Sequence, residues 1–363
     1  MIALLYENLA ETDTRIKTDA AVVDIEVHEN GVKVYLKDGS IKEGSIVVGV
    51  DGIYSKTRQI MQRLAQTPPD TWPMTAAYQG LYGDFHSCPG LNQGTFYQSR
   101  GSGIVSQAMS GEDKGHFAIL RAISPTAEPK RYTTEDRDSL ADEFSNTVVA
   151  PGIRFKAIWE RTVKETAAMV NQEEGSCDKW YHGRIALAGD AVHKVTSVTG
   201  MGVNVSINSA AALANELYRT LQSEPDPSTG AVEDAFFRYQ QIRDPEASQL
   251  HTIGRMQIRG VTWATWADWF FDLLRRSLGR YRQIGGPHRG AYQKGVDAGI
   301  RAVRGPEGSG ALSSHPCFTR MIYLNASGIW RNDTIVYGWS ALQLLRVPRA
   351  ALKERIAWRD NLY

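Results

Sequence analysis

The chain of 363 residues is short of cysteine, of charge imbalance and of long apolar runs. Its 3 cysteines, Cys88, Cys177 and Cys317, are odd in number and far apart, and none has the spacing of a zinc or redox pair. That excludes a disulfide framework and a cysteine-held metal, and it fits a reducing, cytoplasmic compartment. The 41 basic residues against 40 acidic ones leave a net charge of +1. No single-sign field is available to concentrate nucleic acid, so none is expected as a partner. The uncharged run at residues 334–345 is twelve residues long, whereas a spanning helix needs about 20. No signal peptide is expected, because the start has no basic region and carries Glu7 and Glu11. Also missing is any G-x-G-x-x-G turn; Gly101 and Gly103 lack a third glycine and a helical run after them, and read as a hairpin or loop.

What is present is an acidic turn between a buried strand and a helix. Residues 185–188 read Ile-Ala-Leu-Ala, an apolar run suited to a buried parallel strand, and Gly189 permits a tight exit before Asp190. Gly200 and Gly202 then bracket Met201 ahead of a helical run at residues 205–217. Backbone can approach a ligand closely there, and the first N–H groups of the helix attract anions or electron-rich carbonyls. Upstream, the strand-like run at residues 46–50 leads into Asp51 and Gly52, with Ser55 and Arg58 beyond. Residues 20–28 and 31–36 alternate as two strands, with turns at Asn30-Gly31 and Asp38-Gly39.

These two ordered motifs resemble those of FAD-dependent monooxygenases of the aromatic-hydroxylase type, and look closest to fungal meroterpenoid and indole-diterpene epoxidases. Trp180 to Arg184 leading into the strand, and Tyr239 with Arg243, support the resemblance, which covers residues 1–245. It implies an α/β fold: a partial FAD-binding Rossmann-like domain (residues 1–70 and 178–245), an inserted mixed β-sheet substrate domain (71–177) and a helical C-terminal extension (246–363). It further implies FAD as cofactor, NAD(P)H as electron donor, and transfer of one oxygen atom to an apolar secondary-metabolite intermediate. Under it Asp190 would accept from the ribityl chain and the backbone of Val203 would meet the isoalloxazine ring, with Gly200 and Gly202 among the cofactor-binding residues that let the backbone come close. Asp51 and Gly52 would lie near the pyrophosphate and the nicotinamide path.

The chain departs from that pattern in several places. The opening βαβ unit with its glycine turn is not found, and residues 1–9 read as a helix instead. The loop proline is Ser197, which predicts a more mobile loop, and Glu-Asp-Ala becomes Asn208-Ser209-Ala210. An arginine expected after a tyrosine in the substrate sheet is matched by Tyr78-Gln79, so a cationic group is absent there. Two other readings therefore stay open: a repurposed isomerase or cyclase using Gln79, His116 or the Ser197 loop, and a silent partner of a full-length homologue or of itself through an exposed sheet edge. His193 is read as a structural histidine.

Residues 133–150 and 155–166 look helical, as does a long stretch at 249–278 carrying Trp263, Trp266, Trp269, Phe270 and Phe271. That aromatic stripe is read first as a packed seam and second as a face lying on a membrane, giving peripheral membrane contact. Residues 277–314 read as a loop.

Overall fold

The computed structural model describes residues 6–7, 16–67, 74–277 and 321–324. The helix expected at residues 1–9, the loop at 277–314 and the uncharged run at 334–345 lie, wholly or nearly so, outside the described residues.

Alternating apolar residues build the first ribbon. β1 (Val22–His28), β2 (Gly31–Leu36) and β3 (Ile41–Gly44) form a three-stranded antiparallel sheet, turning at Asn30-Gly31, and every second residue of β2 is buried. β4 (Ile46–Gly49) is buried at all four positions, as a strand covered on both faces must be. α1 (Lys56–Leu64) follows, its N-terminus capped by Ser55.

The chain then builds most of a larger sheet from β5 (Met74–His86), β6 (Thr95–Gly101), β7 (Ile104–Ser110) and β8 (Lys114–Thr126). Gly101 and Gly103 flank the β6–β7 hairpin turn, as expected of them. α2 (Thr134–Glu143) opens with a capping box between Thr133 and Asp136. Beyond it come β9 (Val148–Ala150), β10 (Ile153–Arg154) and α3 (Phe155–Trp159). The helix expected over 133–150 therefore ends early, where the β-branched pair Val148-Val149 pairs as a strand, and the one expected over 155–166 is only five residues long.

β11 (Ala168–Ser176), β12 (Tyr181–His182), β13 (Ile185–Leu187) and β14 (His193–Lys194) return the chain to the first half. The large sheet has the order β14-β11-β5-β8-β7-β6. β13 lies parallel to β4 with Ile185 opposite Val47. α4 (Gly202–Ser223) and α5 (Thr229–Val261) pack on that pair, burying Leu213, Leu217, Phe236 and Tyr239 in one core with Val47, Trp180 and Leu187.

The long helix expected at 249–278 is in fact two. α5 runs through Pro245 and stops at Val261; α6 (Trp266–Ser277) starts afresh. The break has a local cause: the Thr262 carbonyl is taken by the Gly103 N–H at 2.7 Å, and Trp263 turns to φ +48°. Last, β15 (Met321–Leu324) lies parallel to the other side of β4, completing the order β12-β13-β4-β15. β4 thus has a strand of this same chain on each side.

One buried side chain joins the two parallel strands' loops. Arg58, 1% exposed, donates to Ala191 O at 2.6 Å and to Ile53 O at 2.5 Å. Burial lowers its pKa, so the fold holds the charge against a desolvation cost. Arg58→Ala leaves both carbonyls without that donor and should lower the unfolding free energy by about 3 kcal/mol, measured by urea denaturation. Arg58→Lys should recover less than half of it, because one ammonium lacks the planar fork that reaches both carbonyls.

Candidate functional site

The site forms where β13 hands over to α4. Gly189 takes φ +61°, and a Cβ there would come to 3.0 Å from Ser206 Oγ, so the chain can turn onto the helix only without a side chain. Asp190 follows, its carboxylate 36% exposed and paired with the Lys194 ammonium. Burial opposes the charge of Lys194, but Asp190 outweighs it and holds the ammonium above its ordinary value. His193 is buried, its Nε2 3.1 Å from Ser209 Oγ and its ring 5.2 Å from that of Trp180. Burial pushes it down to about 4, so it is neutral at neutral pH and supports the turn.

Ser197–Thr199 make a single 3₁₀ turn closed by Gly200 at φ +63°, and α4 begins at Gly202. No side chain caps this 22-residue helix, and a Cβ on Gly202 would meet nothing within 4 Å. Its first N–H groups, Gly202 and Val203 among them, thus have no side-chain cap. Ser197 is tied down where a proline was expected: its N–H and hydroxyl donate to Gln172 Oε1 at 3.2 and 2.5 Å, and its oxygen lies 2.7 Å from the Tyr82 hydroxyl. Hydrogen bonds to the large sheet thus hold the loop by another route.

Asp51 is differently employed. Its carboxylate accepts from Ser55 Oγ at 2.5 Å and from the Thr57 N–H at 2.9 Å, so it serves the start of α1. Gly52 beside it, at φ +77°, has no heavy atom within 4 Å of an added Cβ. Two residues on, the Tyr54 hydroxyl donates to Glu173 Oε1 at 2.7 Å. Burial raises the pKa of Glu173, against that hydrogen bond.

Across the large sheet lies a cavity of about 510 Å³, lined among others by Gln79, Arg121, Tyr132, Leu140, Met169 and Asn171. Asn171 and Arg121 are both register partners of Gln79, on β11 and β8. Arg121 Nε donates to Gln79 Oε1 at 2.6 Å, and the Tyr132 hydroxyl donates to Asn171 Oδ1 at 2.7 Å. Asn171 stands two residues before Glu173, so the cavity wall and the Tyr54–Glu173 pair share β11. A cation is therefore present beside Gln79, supplied by the neighbouring strand. Arg121 was missed because cross-strand pairing leaves no trace in the spacing along the chain. His116 does not line the cavity; it pairs with Asp84 at 2.5 Å.

Among the described residues no helix is long and apolar enough to cross a membrane, and no group of His, Cys, Asp and Glu could hold a metal ion.

Comparison with known proteins agrees with this geometry. The chain is 38% identical over 290 residues to the FAD-dependent monooxygenase srdH of Neurospora crassa, a match covering 75% of this chain and 65% of that protein. It therefore spans under two thirds of that relative's length. Among solved structures, Klebsiella pneumoniae HpxO complexed with FAD and uric acid superposes with a TM-score of 0.56 at 18% identity, covering 80% of this chain and 67% of that one. The Diels-Alderase PyrE3 superposes at 0.53 and 19%, covering 77% and 55%. At those identities the likeness is one of fold. A model of the FAD binding domain family matches residues 1–251, and with that match and the 38% identical relative, the chain belongs to the FAD binding domain family.

Proposed function

We propose that the chain is the greater part of an FAD-dependent monooxygenase, holding the flavin end of its cofactor at the β13–α4 turn and a small organic substrate in the cavity against β5, β8 and β11. The observation that carries this is the uncapped start of α4 behind Gly200-Met201-Gly202, with open space above Gly202 and the Asp190 carboxylate beside it. That donor set suits a flavin: Asp190 would accept ribityl hydroxyls, and the N–H groups of Gly202 and Val203 would meet a ring carbonyl. Toward the pyrophosphate the described residues offer the open backbone at Gly52, while Asp51 is occupied by its own helix. When bound, FAD supplies the redox chemistry, taking electrons from NAD(P)H and activating dioxygen.

The protein's own share is placement. Arg121 presents guanidinium N–H donors to a substrate oxygen, while Leu140, Met169 and Ile123 give the cavity apolar wall. The substrate is thus a small organic molecule whose oxygen meets Arg121 and whose apolar part lies against Leu140, Met169 and Ile123. This reading is favoured over an FAD-independent isomerase or cyclase by the relative's name and the family match, and no residue of the site favours the alternative.

Flavin fluorescence quenching tests the assignment. The wild-type chain should retain FAD through gel filtration, Asp190→Ala should weaken binding roughly tenfold, and Gly202→Val should abolish it; a wild-type protein that elutes colourless from excess FAD would sink the proposal.

Glu173 gives a second, independent test. Its native pKa is raised by burial, so the stabilising contribution of its protonated form is present below the unfolded value and is lost as pH rises through the native one. Glu173→Gln keeps an acceptor for Tyr54 and removes the buried charge. Its Tm should equal that of the wild type near pH 4 and exceed it at pH 8, by a few degrees; an equal shift at both would rule out the charge as the cause.

A further inference from the structure

The aromatic stripe of α6 points away from the protein. Trp266, Trp269 and Phe270 are 79%, 46% and 45% exposed, and Phe271 and Leu274 are exposed with them. Trp266, Trp269, Phe270 and Leu274 stand at i, i+3, i+4 and i+8, which is one face of a helix. The side turned inward carries a charge instead. Asp272 is 6% exposed, pairs with Arg100 at the end of β6, and accepts from Trp263 Nε1 at 3.1 Å. The helix start is fixed as well, because Thr265 and Asp268 exchange hydrogen bonds in a capping box. A soluble helix turns its apolar face inward; α6 is anchored the other way round, by a polar contact that fixes which face looks out.

We infer that this face is a membrane-docking surface, seated in the interfacial layer of an anionic lipid bilayer. Three features select lipid over a second copy of the chain. The face is made of the residue types that settle at the headgroup boundary, tryptophan and phenylalanine with leucine. The sequence that continues from it, residues 273–296, contains Arg275, Arg276, Arg280, Arg282, Arg289 and Lys294 and no acidic residue at all. A run of one sign next in sequence to the face suits an anionic surface and disfavours a second copy carrying the same run. Finally, a helix of 12 residues is too short to span and long enough to lie in the plane.

The docking helix sits on the sheet that holds the cavity. Gly103, in the β6–β7 turn, donates to Thr262 just before α6, and Ile104 next to it is the register partner of Arg121. A membrane-dissolved substrate would then meet the protein at the end of the sheet that carries Arg121. The docking itself does not depend on the flavin assignment.

The test uses the full chain with vesicles of phosphatidylcholine, with and without phosphatidylserine, read by co-sedimentation and by quenching of tryptophan fluorescence with brominated lipid. The wild type should bind the phosphatidylserine vesicles, more weakly as salt rises, with its tryptophans quenched. The double change Trp266→Glu, Trp269→Glu should reduce binding roughly tenfold or more at unchanged Tm and elution volume. Should that variant lose stability, Phe270→Ser replaces it as the surface probe. Failure to bind either vesicle overturns the inference. If a wild type that binds neither vesicle elutes as a dimer that the variant dissociates, a second copy covers the face; if it binds neither vesicle and elutes as a monomer, the face has neither occupant. Binding that ignores both phosphatidylserine and the tryptophans overturns it equally.

Discussion

A single buried guanidinium sets the geometry on which the site depends. Parallel strands leave their loops side by side at the carboxyl ends, but nothing in strand pairing alone fixes how those loops sit against each other. Arg58 does so by donating to Ile53 O in the loop after β4 and to Ala191 O in the loop after β13. The two contacts hold the Asp51-Gly52 turn and the Gly189-Asp190 turn in one frame. Only a planar fork with several donors can serve two carbonyls from a buried position, which is why arginine and not lysine stands there. Asp51 supports the same arrangement from below, since it fixes the start of the helix that carries Arg58.

Within that frame, charge is distributed unevenly and with purpose. His193, adjacent to the acidic turn, is kept neutral by burial and acts as a spacer against Trp180. Asp190 is left partly exposed and paired with Lys194, so its carboxylate can accept from a ligand without standing as an isolated buried charge. Glu173, more deeply placed, is disfavoured as an anion and depends on Tyr54. The Ser197 loop illustrates substitution of one constraint for another. Where a proline would restrict the unfolded chain, here three polar contacts to Gln172 and Tyr82 hold the folded one. The loop is thereby coupled to the large sheet, so a change at the cavity side of that sheet can reach the β13–α4 turn.

How much of this was legible follows from where each feature lives along the chain. The strand, turns and helix start that carry Asp190, Gly200, Gly202 and Val203 were readable because they are contiguous. The cavity was not, since Gln79, Arg121 and Asn171 come together only through register across three strands. The break between α5 and α6 was hidden too. Its cause is Gly103, far upstream, which takes the Thr262 carbonyl out of the helical ladder. The tryptophan period was visible, yet periodicity gives a face without a direction; the direction is set by Asp272 meeting Arg100. Fold alone would not have decided the chemistry either, because proteins of this shape include one named a Diels-Alderase as well as one that binds FAD and uric acid.

The electrostatics of the cavity restrict what it can hold. Arg121 carries five N–H donors; Nε is committed to Gln79 and Nη1 to Glu143. Its charge is already balanced by the Glu143 carboxylate, so a substrate carboxylate would have to compete with that partner and would repel it. A neutral carbonyl or hydroxyl oxygen meets no such competition and can take a remaining guanidinium N–H. Glu143 lies at the exposed end of α2, however, where the pair is open to solvent and worth little by itself. Its role is therefore selective rather than stabilising: with Glu143 in place the cavity favours neutral oxygen-bearing molecules, and replacing that carboxylate by a neutral side chain would open the same arginine to anionic ones.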